Sequence, residues 1–205
     1  MIDNKGLLIV ISGPSAVGKG TICKELIKNN INNLELSVSV TTRKPRQGEF
    51  DGVNYFFKEK EDFEKMMECG EFLEYAQVYD NYYGTPKENV LDKINNGKDV
   101  ILEIDIQGSK QVKENYKDGI FIFIMPPSFE ELKSRIMKRG TETQKDINKR
   151  MKCAFEEIQQ AKFYNYIVVN DDLKNAVEKI YCIINAEKCR LSRYHVDFSE
   201  FKEEL

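Results

Sequence analysis

The residues of this chain most readily matched to a chemistry are Gly13, Gly18 and Lys19, within Gly13-Pro14-Ser15-Ala16-Val17-Gly18-Lys19-Gly20-Thr21. Glycines at the spacing Gly-x-x-x-x-Gly-Lys let backbone N–H groups converge on phosphate oxygens. The N-terminus of a following helix adds partial positive charge, and the lysine brings a full charge to the β- and γ-phosphates. The stretch follows the apolar run 7–11 and precedes a segment carrying Ile22, Leu26 and Ile27 at helical spacing. Strand, loop and helix therefore come in the order a phosphate loop requires. Gly20 stands where the usual pattern has the Ser or Thr whose hydroxyl holds magnesium, and Thr21 comes one place later. The protein ligand of the metal is thus unassigned.

A second group of polar residues suits a second anion and a base. Arg43, Lys44 and Arg46 surround Pro45; two arginines at a turn can clamp a phosphate bidentately, while the plainer reading of such a run is a solvated loop. Tyr55, Tyr82 and Tyr83 can stack on a base, bond a phosphate, or simply belong to a core. In Phe72-Leu73-Glu74-Tyr75-Ala76-Gln77-Val78, strand alternation places Glu74 on the face of Phe72, Ala76 and Val78. A carboxylate on an apolar face demands a partner. Thr85 either belongs to this site or, in Thr85-Pro86-Lys87-Glu88, caps a helix. Over 99–106 the residues Leu102, Ile104 and Ile106 share one strand face, and Glu103 and Asp105 the other. At the C-terminal end of such a strand two acids can position magnesium waters or accept hydrogen bonds from a base, or merely be solvated. Arg135 and Arg139, four apart, share a helix face suited to a polyphosphate or to solvent.

The elements that must hold these groups alternate between strand and helix, which gives an α/β fold with a parallel sheet. Strands are expected at 7–12, 99–106, 120–125 and 166–170, each leading into a helix; Ser128 with Glu131 forms a capping box for a helix ending near Gly140. Residues 34–40 (LELSVSV) alternate cleanly as another strand. Residues 35–85, with strand signals, aromatics and a short helix near 60–69 closed by Gly70, read as an insertion with its own small sheet. Residues 140–155 are polar and suit a lid. The core is then about 1–34, 86–139 and 156–190.

Composition narrows the partners. With 205 residues, 41% hydrophobic and 32% charged, the chain is long enough for one globular domain. A net charge of −3 provides no global positive field for nucleic acid. The apolar run at the start is too short for a membrane span or a signal-peptide core. Five cysteines without a CxxC indicate neither a disulfide framework nor a zinc site and favour a reducing cytoplasm. His195 is the single histidine, which argues against a histidine base. The tail 190–205 has no assigned role beyond packing or self-association, so a homo-oligomer stays open.

Together these stretches resemble guanylate kinase over nearly the whole chain. The resemblance rests on Gly13-Pro14-Ser15…Gly18-Lys19, Ser37-Val38-Ser39…Thr42-Arg43-Lys44-Pro45-Arg46, Gly48-Glu49…Gly52-Val53-Asn54-Tyr55, Asn81-Tyr82-Tyr83-Gly84-Thr85, Asp105-Ile106-Gln107-Gly108, Arg139-Gly140-Thr141-Glu142-Thr143 and Ile167-Val168-Val169-Asn170-Asp171. The "GKGT" ending of the first also resembles loops of other nucleoside monophosphate kinases. The resemblance implies a P-loop NTPase-like core with an inserted monophosphate-binding subdomain and a lid, acting on ATP and GMP with magnesium. It implies that Ser39, Glu74, Thr85 and Asp105 surround guanine, and that Arg43, Arg46, Tyr55 and Tyr83 hold the GMP phosphate. Arg135, Arg139 and Arg150 would close over the transferring group, with Arg43 and Lys19 supplying further charge; residues 13–21 would cradle ATP, with Asn170 near its adenine. Three positions depart from the pattern. Ala16 stands where many relatives have glycine, Glu103 replaces an aspartate, and Gly20 lacks the hydroxyl. The resemblance also leaves room for a non-catalytic interaction module of this fold or a kinase of a ribose bisphosphate.

Overall fold

The computed structural model describes residues 5–28, 33–78, 80–138 and 144–193. Its centre is a five-stranded parallel sheet, which begins with β1 (Leu8–Ser12), buried on both faces. Period-two alternation divides the run between two cores. Ile9 and Ile11 pack with Ile22, Cys23 and Leu26 of α1 (Lys19–Lys28) and with Val177, Ile180 and Ile184 of α7 (Leu173–Lys188). Leu8 and Val10 pack the other way, against Val90 and Ile94 of α3 (Lys87–Asn95) and Val112 of α4 (Ile106–Asn115).

The remaining core strands are β2 (Leu34–Leu36), β7 (Asp99–Glu103), β8 (Ile120–Met125) and β9 (Tyr166–Val169), in the spatial order β2-β7-β1-β8-β9. β1 is central, with β7 on one side and β8 on the other, and Ile11 pairs with Glu103. The loops leaving the C-terminal ends of β1 and β7 are therefore neighbours, at the edge where open α/β sheets bind ligands. A second sheet, in the order β4-β3-β6-β5, comprises β3 (Val40–Thr41), β4 (Phe56–Phe57), β5 (Phe72–Val78) and β6 (Asn81–Pro86). Phe63 of α2 (Lys60–Glu68) stacks on Phe72 at 4.5 Å and anchors that sheet's own small core with Val40.

Three expectations change. The alternating run 34–40 is not one strand: β2 pairs with β7 in the parallel sheet, while Val40 begins β3 in the other. Ser37 to Ser39 make the crossing between sheets, a long-range pairing that local alternation does not encode. The strand expected over 99–106 stops at Glu103, because Asp105 is the N-cap of α4 and accepts from the Gly108 N–H at 2.8 Å. Asp105 and Glu103 therefore do not share a strand face. A bulge between Phe72 and Glu74 interrupts the alternation of β5, so Leu73 enters the core beside β1 and Glu74 turns elsewhere.

Two local signals hold. Gly70 follows α2 with φ 67°, and Ser128 caps α5 (Phe129–Met137) by accepting from Glu131 N–H at 3.0 Å. Helix α6 (Gln144–Ile158) begins inside the segment read as a lid, and its buried Ile147 and Ala154 pack on Leu132 and Ile136 of α5.

Candidate active site

The phosphate loop forms as its spacing requires, between β1 and α1. Gly18 has φ 101°, and a Cβ there would stand 2.6 Å from the Asn170 amide nitrogen, so only glycine fits. Ala16 also has positive φ, 65°, a conformation that costs an L-residue about 1–2 kcal/mol. Its methyl packs against the α5–α6 cluster, which offsets part of that cost. Lys19 Nζ donates to the Gly13 carbonyl at 2.6 Å and to the Pro14 carbonyl at 3.3 Å, so the lysine lies along the loop it serves. Burial lowers its pKa, and the nearby carboxylates of Glu103, Glu157 and Asp105 oppose that shift.

The opening left by Gly20 is faced by an acid. A Cβ on Gly20 would lie 3.2 Å from Glu103 Oε1, so this carboxylate occupies the space towards which a serine side chain would project. Partial withdrawal from water raises the Glu103 pKa, while Lys19 and Lys24 pull it down. Carboxylate oxygens are suitable donors for magnesium or its waters. Among the described residues no group of three or more His, Cys, Asp or Glu forms a closed metal cluster.

The residues expected on the acceptor side come from both sheets. Ser39, Tyr55, Thr85 and Glu103, with Ser37 and Asn54, line one cavity of about 120 Å³. Glu74 is buried, and Thr85 Oγ1 donates to its Oε1 at 2.6 Å. Thr85 is therefore not the helix cap: Pro86 takes that position in α3 without a side-chain bond. Burial pushes the Glu74 carboxyl up to about 7, against the Thr85 hydrogen bond and with help from the Asp105 charge. Gly108, within the first turn of α4, touches Glu74; a Cβ there would be 2.8 Å from its Oε2. The bulge in β5 and the cap of α4 thus bring Glu74 and Asp105 to one place, which neither segment alone discloses.

Arg43 forms a 2.9 Å ion pair with Glu49 and lies 5.4 Å from the Tyr55 ring centroid. Tyr55 meets Tyr83 edge to face at 6.0 Å. Arg46 is exposed at the same turn, and its backbone N–H donates to Glu49 at 2.8 Å. The four expected phosphate holders are thus gathered on one turn and the sheet beside it.

Arg135 reaches the phosphate loop itself, donating to the Val17 carbonyl at 3.2 Å and the Asn170 carbonyl at 3.1 Å, with Glu131 bracing its Nε. The Asn170 amide also bonds the Val17 carbonyl, at 2.8 Å, so its side chain braces the loop from below. Arg150 is half-buried on α6, and Arg139 lies outside the described residues. Two participants were not singled out from sequence. Glu157 of α6 accepts from the Ser15 N–H at 3.4 Å, with its pKa raised by burial. Glu49 ties Arg43 to the Arg46 backbone. An acid three residues beyond Arg46 in a turn was a legible signal for Glu49; nothing local marks Glu157, which lies 142 residues from its partner.

All five cysteines are free thiols, and among the described residues no helix is long and apolar enough to cross a membrane. A sequence model described as guanylate kinase matches residues 5–187. A guanylate kinase of Clostridioides difficile is 58% identical across the full length of both chains. One from Clostridium tetani is 63% identical over 92% of this chain and 90% of its own. The crystal structure of guanylate kinase from Anaplasma phagocytophilum superposes with a TM-score of 0.73 at 35% identity, covering 94% of this chain and 91% of that one.

Proposed function

Since the chain belongs to the guanylate kinase family, we propose that it transfers the γ-phosphoryl group of ATP directly to GMP, giving ADP and GDP. The observation that carries this reading is the convergence of Glu74 and Asp105, with the Thr85 hydroxyl bonded to Glu74 and Thr85 sharing a cavity with Ser39; Asp105 follows β7, the strand next to β1 and its phosphate loop. Guanine offers N1–H and N2–H as donors and O6 as an acceptor. Carboxylates take the donors and a hydroxyl gives to O6. Adenine would turn a lone pair towards a carboxylate and leave buried polar groups unpaired, a mismatch of about 1–3 kcal/mol for each unsatisfied group.

The transfer needs alignment and charge neutralisation rather than a covalent intermediate. Residues 13–21 hold the triphosphate, and Lys19 places its charge at the β- and γ-phosphates. Arg43, Arg46, Tyr55 and Tyr83 fix the acceptor phosphate, with Glu49 orienting the Arg43 guanidinium. Arg135, already on the loop, and Arg150 with Arg139 from the lid segment stabilise the moving phosphoryl group. Glu103, facing the space beside Gly20, would hold magnesium through its waters, and the ion would supply charge neutralisation for the phosphates. Closure of the inserted subdomain and the lid excludes water, which would otherwise accept the phosphoryl group. Free thiols suit a reducing cytoplasm.

A coupled ADP-release assay with GMP, dGMP, AMP, UMP and ribose phosphates as acceptors tests the reading. The expected outcome is turnover with GMP at least about 100-fold above AMP and UMP. Equal turnover of a ribose phosphate, or ADP release independent of any acceptor, would overturn it.

A further inference from the structure

β5 is the outer strand of its sheet: it pairs with β6 on one side and, among the described residues, has no strand on the other. An open edge of this kind leaves backbone donors and acceptors to be satisfied by something else. Here α4 satisfies them with side chains. Gln111 Oε1 accepts from the Tyr75 N–H at 3.1 Å, and Gln111 Nε2 donates to the Tyr75 carbonyl at 2.9 Å. One amide thus makes both bonds that a neighbouring strand would make. Asn115 Nδ2 donates to the Leu73 carbonyl at 2.8 Å. Tyr75 and Leu73 are the residues on either side of Glu74.

The same helix carries the other half of the base site. Asp105 caps it, Gly108 touches the Glu74 carboxylate, and Gln111 and Asn115 follow three and seven positions after Gly108, on the same helix face. One face of α4 is therefore a splint along the backbone that bears Glu74, with Asp105 fixed at its end. The splint opposes a real force. Glu74 and Asp105 are like charges near one another, and Glu74 is buried; without restraint, repulsion and hydration both favour moving β5 away. The bulge between Phe72 and Glu74 weakens the ladder to β6 at this point, so pairing with β6 alone is a poor restraint.

We propose that Gln111, assisted by Asn115, is a positioning residue for the acceptor base: it clamps the β5 backbone to α4 and so holds Glu74 against Asp105 before the nucleotide arrives. The proposal rests on the assignment of Glu74 and Asp105 to guanine. The clamp preorganises the acidic pair, so its loss falls on the affinity for GMP and not on the phosphoryl step, which uses the loop after β1.

The test uses the full chain carrying Gln111→Met, which keeps length and removes both bonds, with Asn115→Ala as a second variant. Steady-state kinetics and amide hydrogen exchange are measured on each. For Gln111→Met the expectation is a rise in KM for GMP of about tenfold, with kcat and KM for ATP within about twofold of the unaltered protein. Exchange of the Tyr75 amide should accelerate while that of β1 stays unchanged. Asn115→Ala should raise KM for GMP by a smaller factor in the same direction. An unchanged KM for GMP overturns the proposal, as do parallel losses for both nucleotides with faster exchange throughout, which mean support of the fold only. Tyr75 exchange unaffected by Gln111→Met overturns the clamp itself. Failure of the underlying assignment is a separate result, because it appears in the unaltered protein as absent GMP-dependent ADP release.

Discussion

The two proposed nucleotide sites of this molecule are built on opposite plans. The phosphate cradle comes from nine consecutive residues, 13–21, and works largely through backbone and one lysine. The proposed acceptor pocket draws Ser39, Arg43, Tyr55, Glu74, Tyr83, Thr85 and Asp105 from five separate segments spanning two sheets. The cradle is preformed by local chemistry: a strand end, left-handed backbone at Gly18, and a helix start. The pocket exists only where β5, β6 and the cap of α4 converge, with Glu74 buried among them. A site for phosphate, which every nucleoside triphosphate shares, can be generic. A site that must tell guanine from adenine needs several side chains fixed at once.

Lys19 is where the two plans meet, since it lies on the cradle yet feels Glu103 and Asp105. The contrast predicts that Lys19→Ala strikes the chemical step. We expect kcat to fall by about 10²–10³-fold or more with an unaltered far-UV circular dichroism spectrum and little change in GMP affinity. A comparable loss in GMP binding, measured by titration calorimetry, would break the contrast.

Glu74→Gln probes the pocket alone. KM for GMP should rise about 10- to 100-fold with KM for ATP nearly constant; an equal rise for both nucleotides would merge the two sites into one. The same residue sharpens the comparison through pH. The folded carboxyl titrates near 7 and the unfolded one near its ordinary 4.5. Between these values the folded chain binds the additional proton, so this group's contribution to stability falls as pH rises through the window. The ligand-free Glu74→Gln variant should therefore unfold like the unaltered protein near pH 4.5 and be more stable by roughly 1–3 kcal/mol above pH 7. In the unaltered protein, KM for GMP should rise as pH drops below about 7, where the carboxyl takes up its proton.

The smallest effect concerns the cradle's one left-handed alanine. Ala16→Gly relieves about 1–2 kcal/mol of backbone strain, loses up to about 0.8 kcal/mol of methyl burial on the α5–α6 cluster, and loosens the unfolded chain by about 0.4–1 kcal/mol. Urea unfolding should then show a change within about 0.5 kcal/mol. A loss above about 1 kcal/mol would mean that the methyl contact, rather than the loop conformation, governs this position.

Legibility from sequence follows the same division. β1, the loop, α1, β8, β9 and the Ser128 cap were readable because each depends on neighbours a few positions away. The errors fell where one segment serves two sheets. Residues 34–40 alternate as a single strand yet part company at Ser37, and Asp105 looks like a strand residue until Gly108 N–H makes it a cap. Thr85, open from sequence between a helix cap and the base site, donates to Glu74. Asn170, expected near a base, also braces the Val17 carbonyl, a contact between distant segments. Glu157 gave no sign of its approach to Ser15.

By itself, then, the amino-acid order determined the alternation of strands and helices, the phosphate cradle and the set of acids, arginines and hydroxyls available for a second nucleotide. These follow from periodicity, turn chemistry and side-chain type, which act over a few residues. Only the tertiary structure decided which acids meet, that Glu103 faces the space beside Gly20, and that an amide on α4 stands in for a missing strand beside Glu74. Those outcomes depend on burial and charge summed across segments far apart in the chain, and no local pattern records them.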